Sequence, residues 1–500
     1  DYQRTAKAIS AEKKAGLDAM IKAKASASLL KKQRTGNMVK ISVSKDGLNY
    51  MGSAEISSLL GMADTEVKQL IKSGNLALSN QGNNIAYIPA NDMAGLFFYA
   101  QGIDSMYTKE NIYWLYRGKG LQMGSLEGAG PAPAGYGTFT ETIHFEEDNI
   151  AALVLAHGPM SDYWIWDYFV GNNPVLGTRE FSLETYGVAD TTADALLTVR
   201  LHGATSAADD EGKDHSVIVY LNGHEVAREQ WKGVEEYVIT RNFTQGWLNN
   251  GPNSVEVTAL LADAPYSVFV LDSFDLTYLR LLEAHEDSLK FSPQSSLPLT
   301  VYGFTGPDIS VFDITNPNKP VLNMKTTING AGGDYSVSFI PSPGSRYLAT
   351  ASDTAIAVLN AWADSPSTLS SKKNWADYII ITTKELAAAA QELAHYREGQ
   401  GLKTMVVDLE DIMDEFNYGI SSPEAIHDFL SYAYANWKKA PKYVLLAGDG
   451  TFDYKDNMGV GDNLVPTLMA ETLDIISPSD NLFADINSDH VPDIAIGRLP

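Results

Sequence analysis

The 500-residue sequence contains no cysteine. Its absence excludes disulfide bonds, cysteine-ligated zinc sites and a thiol nucleophile within these residues. The sequence also lacks any apolar run approaching the ~18 residues that would suggest a transmembrane helix. Basic residues are scarce, with 37 Lys and Arg against 62 Asp and Glu, giving a formal net charge of −25. Nucleic-acid binding is therefore not expected, because phosphate contacts require clustered lysine and arginine.

The composition is that of a folded chain with several domains. Hydrophobic residues make up 44% of the sequence and charged residues 20%, which is typical of globular protein rather than disorder. At roughly 150 residues per domain, the length predicts three or four domains. The sequence starts at Asp1 rather than Met, which indicates either removal of a signal segment or a trimmed sequence.

Local patterns divide the chain into five regions. They predict a multidomain fold whose N-terminal part is β-rich and whose last part is α/β. The predicted regions are a basic N-terminal helix (1–37), a small mixed α/β domain (38–128), a jelly-roll-like β-sandwich (138–285), a β-rich connecting domain (286–372) and the first part of an α/β domain (374–500). The basic helix is expected to dock on the acidic body of the protein or, alternatively, to anchor at a membrane surface.

The small mixed domain is predicted from short periodic segments. Residues 39–43 alternate as a strand, and residues 54–60 and 66–71 are typical of short helices. The aromatic-rich stretch 95–116 predicts a pair of strands that hydrogen-bond to each other.

The predicted sandwich rests on evenly spaced short strands and a sharp turn at Asn222–Gly223. The expected strands are 139–145, 179–187, 195–203, 216–221, 224–228, 236–242, 253–261 and 269–279. Such sandwiches bind glycans or proteins when aromatic side chains are exposed, and otherwise bury them in the core. The tryptophans open to both interpretations are Trp164, Trp166, Trp231 and Trp247. The histidines of this region, which are expected to be structural or surface residues, are His157, His202, His215 and His224.

The sequence pattern of the last region predicts strands that alternate with helices, and therefore a parallel sheet. Strands are expected at 378–382, 404–407 and 443–447, with a fourth opening at 493–496. A helix is expected at about 384–397, and another after Ser422 with Ile426, Phe429, Leu430 and Ala433 on its buried face.

In such sheets, binding and catalytic sites lie beyond the carboxyl ends of the strands. The sequence places Gly448–Asp453 at such an end. Its two carboxylates, Asp449 and Asp453, are explained either by a turn that satisfies backbone N–H groups or by a functional site. A phosphate-binding loop is not indicated, because neither Gly-x-x-x-x-Gly-Lys nor a complete Gly-x-Gly-x-x-Gly is present.

An acidic loop near residue 490 is the candidate metal site. Asp485, Asn487, Asp489 and Asp493 occupy positions 1, 3, 5 and 9 of an oxygen-rich loop, a spacing that resembles the first part of a calcium-binding loop. Position 6 is His490 rather than Gly and position 12 is Ile496 rather than Glu, so the loop is not an EF-hand. The sequence leaves open a Ca²⁺ site and a solvated acidic turn. Expected additional ligands in the first case are Asp480 and either Asp449 or Asp453.

Two tail motifs together resemble the first half of the gingipain-type cysteine peptidase domain, which has a caspase-like fold. They are Leu445–Tyr454 (LLAGDGTFDY) and Asp485–Pro500 (DINSDHVPDIAIGRLP). The segments Asp104–Leu115 (DSMYTKENIYWL) and Val311–Pro317 (VFDITNP) also resemble regions that surround this domain in relatives. The resemblance covers most of residues 38–500 and is most specific in the tail.

The resemblance implies a secreted cysteine endopeptidase, in which a cysteine thiolate attacks a peptide carbonyl and a histidine transfers the proton. Both residues lie in the second half of the domain in relatives, so they are expected beyond residue 500. His395 and His427 lie on helices and do not match the family's His-Gly site. The implied substrate is a protein or peptide, and the implied location is the exterior or cell surface of a bacterium.

Two kinds of alternative remain open at the level of the sequence. Within the family, a sortase-like enzyme would cleave exported proteins and transfer them. Outside it, a non-enzymatic cell-surface binding or scaffold protein would reuse a peptidase-like fold, or the sandwich would make the chain a glycan-binding protein.

Overall fold

A computed structural model describes residues 37–500, apart from eight positions. These are Tyr136, His157, Pro159, Asp210, Leu359, Ser365, Asp462 and Asp474. Except for Asn37, the predicted basic helix lies outside the described residues, as does the structural role predicted for His157. The described part confirms a multidomain, β-rich chain.

The first region contains the expected mixture of strands and short helices. The helices Ser53–Leu60 and Asp64–Ser73 bury Ile56 and Val67 and end at glycines in the left-handed conformation, which L side chains rarely adopt. The strands are Met38–Val43, Gly47–Gly52, Leu76–Asn80, Asn83–Asn84, Ala86–Pro89, Gly95–Ala100, Asn111–Arg117, Leu121–Gln122 and Gly124–Leu126.

The prediction that residues 95–116 form two strands paired with each other is wrong in its pairing. Gly95–Ala100 pairs with Gly47–Gly52, whereas Asn111–Arg117 pairs with Met38–Val43 in a different sheet. Side chains from both sheets meet in one core, including Phe98 and Tyr113. The two strands therefore lie in different sheets that pack against a shared core.

Later residues complete these sheets. Ala361–Asp364 pairs with Met38–Val43, and Ile356–Ala357 pairs in parallel with Gly47–Gly52. The remaining strands of this later region are Ser288–Phe291, Leu299–Phe304, Ile309–Asp313, Val321–Asn323, Thr327–Ala331, Asp334–Phe339 and Tyr347–Ala351. The described residues 37–364 are called the N-terminal body below, and the domain boundaries drawn from the sequence stay predictions.

Residues 138–281 form two antiparallel sheets that share one hydrophobic core, and each of the eight expected strands is present. One sheet contains Thr138–Glu146, Asp167–Val170, Asp194–Gly203, Glu236–Thr244 and Val268–Leu281. The other contains Thr178–Thr185, His215–Leu221, His224–Trp231 and Gly251–Leu261. Asn222 and Gly223 both have positive φ, as the predicted sharp hairpin turn requires. A small hairpin, Ile150–Ala151 with Trp164–Ile165, lies outside both sheets.

Residues 371–500, called the α/β segment below, form the predicted parallel sheet. Its strand order is Thr404–Asp408, Tyr378–Thr382, Tyr443–Ala447 and Ala495–Leu499. The helices are Ala387–Gly399, Leu409–Asn417 and Glu424–Asn436, and a hairpin is formed by Leu468–Glu471 and Ile476–Ser479.

The last helix buries its apolar stripe as predicted, with Ile426, Phe429, Leu430 and Ala433 all at 0% exposure. One local prediction needs correction, and one helix was not predicted. The fourth strand begins at Ala495 rather than Asp493, because the Asp493 carboxylate is bonded into the preceding turn. The helix Leu409–Asn417 was not expected, although Asp408 caps it by accepting a hydrogen bond from the N–H of Glu410.

Candidate functional site at the carboxyl edge of the parallel sheet

The loop after strand Tyr443–Ala447 lies at the carboxyl edge, as the sequence predicts. Gly448 has φ +146° and donates its N–H to the carbonyl of Leu499 on the neighbouring strand. A Cβ at Gly448 would lie 2.9 Å from a methyl group of Val465, and a Cβ at Gly450 would lie 2.4 Å from the Val465 carbonyl oxygen. Both positions therefore require glycine so that the returning segment can pack against the edge.

The two carboxylates of this loop accept backbone hydrogen bonds. Asp453 is 1% exposed and accepts the N–H groups of Asn457 and Met458, each at 2.8 Å. Asp449 accepts the N–H of Gly450 at 2.8 Å. This arrangement matches the turn interpretation: the carboxylates fix the backbone of the loop.

Arg498, which the sequence analysis did not single out, holds the edge together. Its guanidinium donates to the carbonyls of Gly448 at 2.8 Å and Val465 at 2.6 Å, and binds Asp480 through two N–H groups at 2.9 and 2.6 Å. The planar guanidinium can satisfy all these acceptors at once, which a lysine could not do. Asp480, expected as an additional calcium ligand, is thus committed to Arg498.

The acidic loop at 485–493 is closed by its own hydrogen bonds. Asp485 accepts the N–H groups of Asp489 at 3.0 Å and His490 at 2.9 Å. Asp493 accepts from the N–H of Ile486 at 3.0 Å and from the Asn487 side chain at 3.2 Å. The carboxylates of Asp485 and Asp493 thus fix the backbone of the loop. Calcium binding by Asp485, Asn487, Asp489 and Asp493 stays a prediction.

A different trio of acids lies close together on the two-sheet region. Among the described residues, Glu146, Asp162 and Asp272 form the group of three whose carboxylate oxygens lie within 4.8 Å of one another. Burial raises the pKa of Glu146 and of Asp272. His144 bridges this group to Asp275, with ring nitrogens 2.8 Å from Glu146 and 2.7 Å from Asp275. Glu146, Asp162 and Asp272 come from three separate segments of the chain, so no local sequence pattern brings them together.

The histidines that were expected to be structural or surface residues make local contacts. His395 contacts Gln391 on its own helix, and His427 faces the carbonyl of Asp485 at 3.4 Å. His215 is fully buried and pairs with Ser267 at 2.9 Å and with the Gly233 carbonyl at 3.2 Å. His224 stacks on Trp247.

The tryptophans of the two-sheet region follow the core interpretation. Trp164 and Trp231 are 3% and 2% exposed, and Trp166 and Trp247 pack against the shared core. These four residues therefore do not provide the exposed aromatic face that glycan binding would need.

Residues of the N-terminal body support the loop that follows the carboxyl edge. Tyr163 donates its hydroxyl to the carbonyl of Phe452 at 2.6 Å. Lys455 lies between Asp148 at 2.8 Å and Asp104 at 3.3 Å. The carboxyl edge is thus shaped partly by side chains from more than 280 residues earlier in the chain.

Comparisons with known proteins agree on the nature of the α/β segment. Residues 371–500 match the model of peptidase family C25, the gingipain family, which confirms the resemblance drawn from the sequence. The structure is similar to the dimeric latent PorU from Porphyromonas gingivalis, with a TM-score of 0.65 and 16% identity. The match covers 93% of this chain and 48% of that one, so the chain spans about half the length of PorU.

Other similarities are weaker. The CBM36-1 domain of a multidomain xylanase from the hindgut metagenome of Trinervitermes trinervoides aligns with 27% of this chain and 96% of its own, at 10% identity and a TM-score of 0.18. A score this low bears on neither fold nor function. No curated protein matches the sequence significantly. Within the described residues, every helix is too short or too polar to cross a membrane.

Proposed function

Because residues 371–500 match peptidase family C25, we propose that the chain is the N-terminal, non-catalytic part of a secreted gingipain-like cysteine endopeptidase. The observation that supports it most is that this match falls on a parallel sheet whose carboxyl edge is cross-linked by the hydrogen bonds of Arg498. The catalytic cysteine and histidine would be supplied from outside these 500 residues, which contain no cysteine.

The role of the α/β segment in this proposal is that of a scaffold. A nucleophile acts efficiently only when its position is fixed relative to the scissile carbonyl. Arg498, Asp480 and the two loop glycines hold the edge in one shape, which suits it to support a thiol–imidazole pair contributed by neighbouring strands. The proposal includes a caspase-like fold for the complete domain and a jelly-roll-like sandwich for the two-sheet region.

The substrate would be a protein or peptide, and the place of action the exterior or cell surface of a bacterium. Protein cleavage is what the family match favours. Fractionation of cells followed by detection of the protein tests the location, and an exclusively cytoplasmic signal would contradict it.

The decisive test begins with the gene beyond codon 500. We expect a His-Gly pair and, a few tens of residues later, a cysteine that follows an apolar strand. The longer protein should cleave fluorogenic peptides, and changing that cysteine to alanine should abolish cleavage without altering the circular dichroism spectrum. A longer protein without such a cysteine would instead favour a binding or scaffold protein that reuses the fold.

Calcium at the acidic loop is tested separately by thermal melting with and without a chelator. A ligand present at 100 times its dissociation constant stabilises a protein by about 2.7 kcal/mol. If Ca²⁺ binds at 485–493, the chelator lowers the melting midpoint of the wild type but not that of Asp489→Asn. An unchanged midpoint in both would contradict calcium binding.

A further inference from the structure

A buried lysine joins the N-terminal body to the α/β segment. Lys40 lies on strand Met38–Val43 and is 1% exposed. Its Nζ is 2.7 Å from Glu410 Oε1 and 2.5 Å from Asp414 Oδ1, both on helix Leu409–Asn417. The rings of Trp114 and Trp362 lie 5.3 and 5.7 Å from the same Nζ. A buried ammonium is tolerated only with such partners, so the N-terminal body is complementary to this helix.

The turn after this helix inserts into the N-terminal body. Ile420 belongs to an apolar cluster whose other members, Met38, Ala77, Ile112, Trp114 and Tyr116, all come from the body. The indole N–H of Trp114 donates to the carbonyl of Tyr418 at 2.7 Å. A Cβ at Gly419 would lie 3.0 Å from Ile112, and its φ is +88°, so the close approach depends on glycine here.

A second contact region lies near the carboxyl edge. Tyr163 and Trp164 share an apolar cluster with Met469 and Ile476 of the segment's hairpin. The hydroxyl of Tyr107 donates to Glu424 at 2.5 Å, at the start of the last helix. Together with Lys455 and its two aspartates, these contacts place an apolar cluster beside ion pairs, which is the anatomy of a stable protein interface.

The connection between the two parts is itself anchored in the α/β segment. Leu369 is 8% exposed and packs in the segment's core, and its carbonyl accepts the indole N–H of Trp437 at 2.8 Å. The N–H groups of Leu369 and Ser370 donate to Glu415 at 2.5 and 2.9 Å. Lys372 and Lys373, at the very start of the α/β segment, are exposed.

We propose that the N-terminal body and the α/β segment are a permanent non-covalent pair, which stays assembled after the chain is cut between Lys372 and Lys373. A cut there would leave Leu369 on the N-terminal fragment and still buried in the core of the other. The N-terminal body would then be a resident subunit of the mature protein rather than a segment released by processing. This proposal rests on the contacts alone and does not require the proposed peptidase activity.

The test uses the full chain with the recognition sequence of a site-specific protease inserted between Lys372 and Lys373. After complete cleavage, seen as two bands on a denaturing gel, gel filtration should give one peak containing both fragments. The peak should persist in about 1 M salt, where the Debye length is only about 3 Å, because buried pairs and apolar contacts are weakly screened. Two separate peaks at low salt would overturn the proposal.

A matched pair of substitutions tests the anchoring role of Lys40 in the cut protein. Lys40→Glu should raise the dissociation constant of the fragments at least about 100-fold, since it places a third carboxylate in a buried acidic site. Lys384→Glu is the control, because Lys384 pairs with the same Glu410 but its side chain is 72% exposed. Equal dissociation constants for the two variants would overturn the assignment of Lys40 as the anchor.

Discussion

Replacing Lys40 by methionine is the sharpest single test of how the two parts of this protein depend on each other. Methionine retains most of the apolar stem but removes the ammonium, which leaves Glu410 and Asp414 facing each other without it. Removing one partner from a buried ion pair typically costs about 3–5 kcal/mol. We expect the lower end, about 3 kcal/mol, because Glu410 keeps Lys384 and the Trp362 indole as partners.

The penalty should depend on pH. Burial raises the pKa of Asp414 to about 7, against the opposing effect of Lys40, so this carboxyl can take up a proton when its partner is lost. The penalty should therefore be smaller at pH 6 than at pH 8. The control is Lys384→Met, which removes an exposed partner of the same Glu410 and should cost less than about 1 kcal/mol.

Local hydrogen exchange is the appropriate assay, because a multidomain chain has no single unfolding free energy. Peptides covering 38–43 and 409–417 report the free energy of opening at the contact, and peptides from 215–221 serve as an internal reference. Equal exchange in Lys40→Met and Lys384→Met would refute the view that Lys40 is a buried anchor.

Three further outcomes are expected. Gly448→Ala should destabilise the α/β segment by about 2 kcal/mol, because Gly448 has a positive φ and an added Cβ would lie 2.9 Å from Val465. Gly497→Ala is the control and should be near neutral, because its Cβ would meet nothing within 4 Å; both are measured by urea unfolding followed by hydrogen exchange. Asp414→Asn should flatten the pH dependence of opening at 409–417. The folded pKa of Asp414 is raised to about 7, so its contribution to stability is complete below the unfolded value of 3.8 and is lost as the pH rises through about 7. The neighbouring charges are Lys40, Glu410 and Asp364. Glu410 has its folded pKa lowered to about 2, so it affects stability mainly below pH 4.5. A wild-type opening free energy that rises with pH between 5 and 7 would therefore contradict the role given to Asp414. Burial lowers the pKa of His215, so the stability of the two-sheet region should be complete above its unfolded value of about 6.5 and fall as pH decreases, and His215→Phe should lose that slope in exchange measured at 215–221.

Local sequence patterns predicted the elements of this fold well where burial follows a clear period. The stripe from Ile426 to Ala433 and the eight strands of the two-sheet region are examples, because alternation and helical spacing report which face is covered. The Asn222–Gly223 turn was equally readable, since both residues must adopt positive φ. The helix Leu409–Asn417 was missed although its cap and apolar positions are local signals.

What the sequence could not supply is the pairing of distant residues. Lys40 and Glu410 are 370 positions apart, and no local pattern distinguishes this lysine from an exposed one. The strands 95–100 and 111–117 are close in sequence yet belong to different sheets, because sheet stacking rather than chain proximity decides their neighbours. Arg498 likewise acquires its role only when the strand end brings it beside Gly448, Val465 and Asp480.

The proposed function makes residues 371–500 the scaffold half of a thiol peptidase domain. Its most direct test is to treat the longer protein, carrying the sequence beyond residue 500, with a peptidyl ketone that alkylates activated thiols, and to locate the adduct by mass spectrometry. The account predicts one labelled cysteine, located beyond residue 500, and loss of labelling when the neighbouring histidine is changed to alanine. A longer protein that contains cysteine but stays unlabelled, while gingipain-type peptidases are labelled under the same conditions, would contradict it.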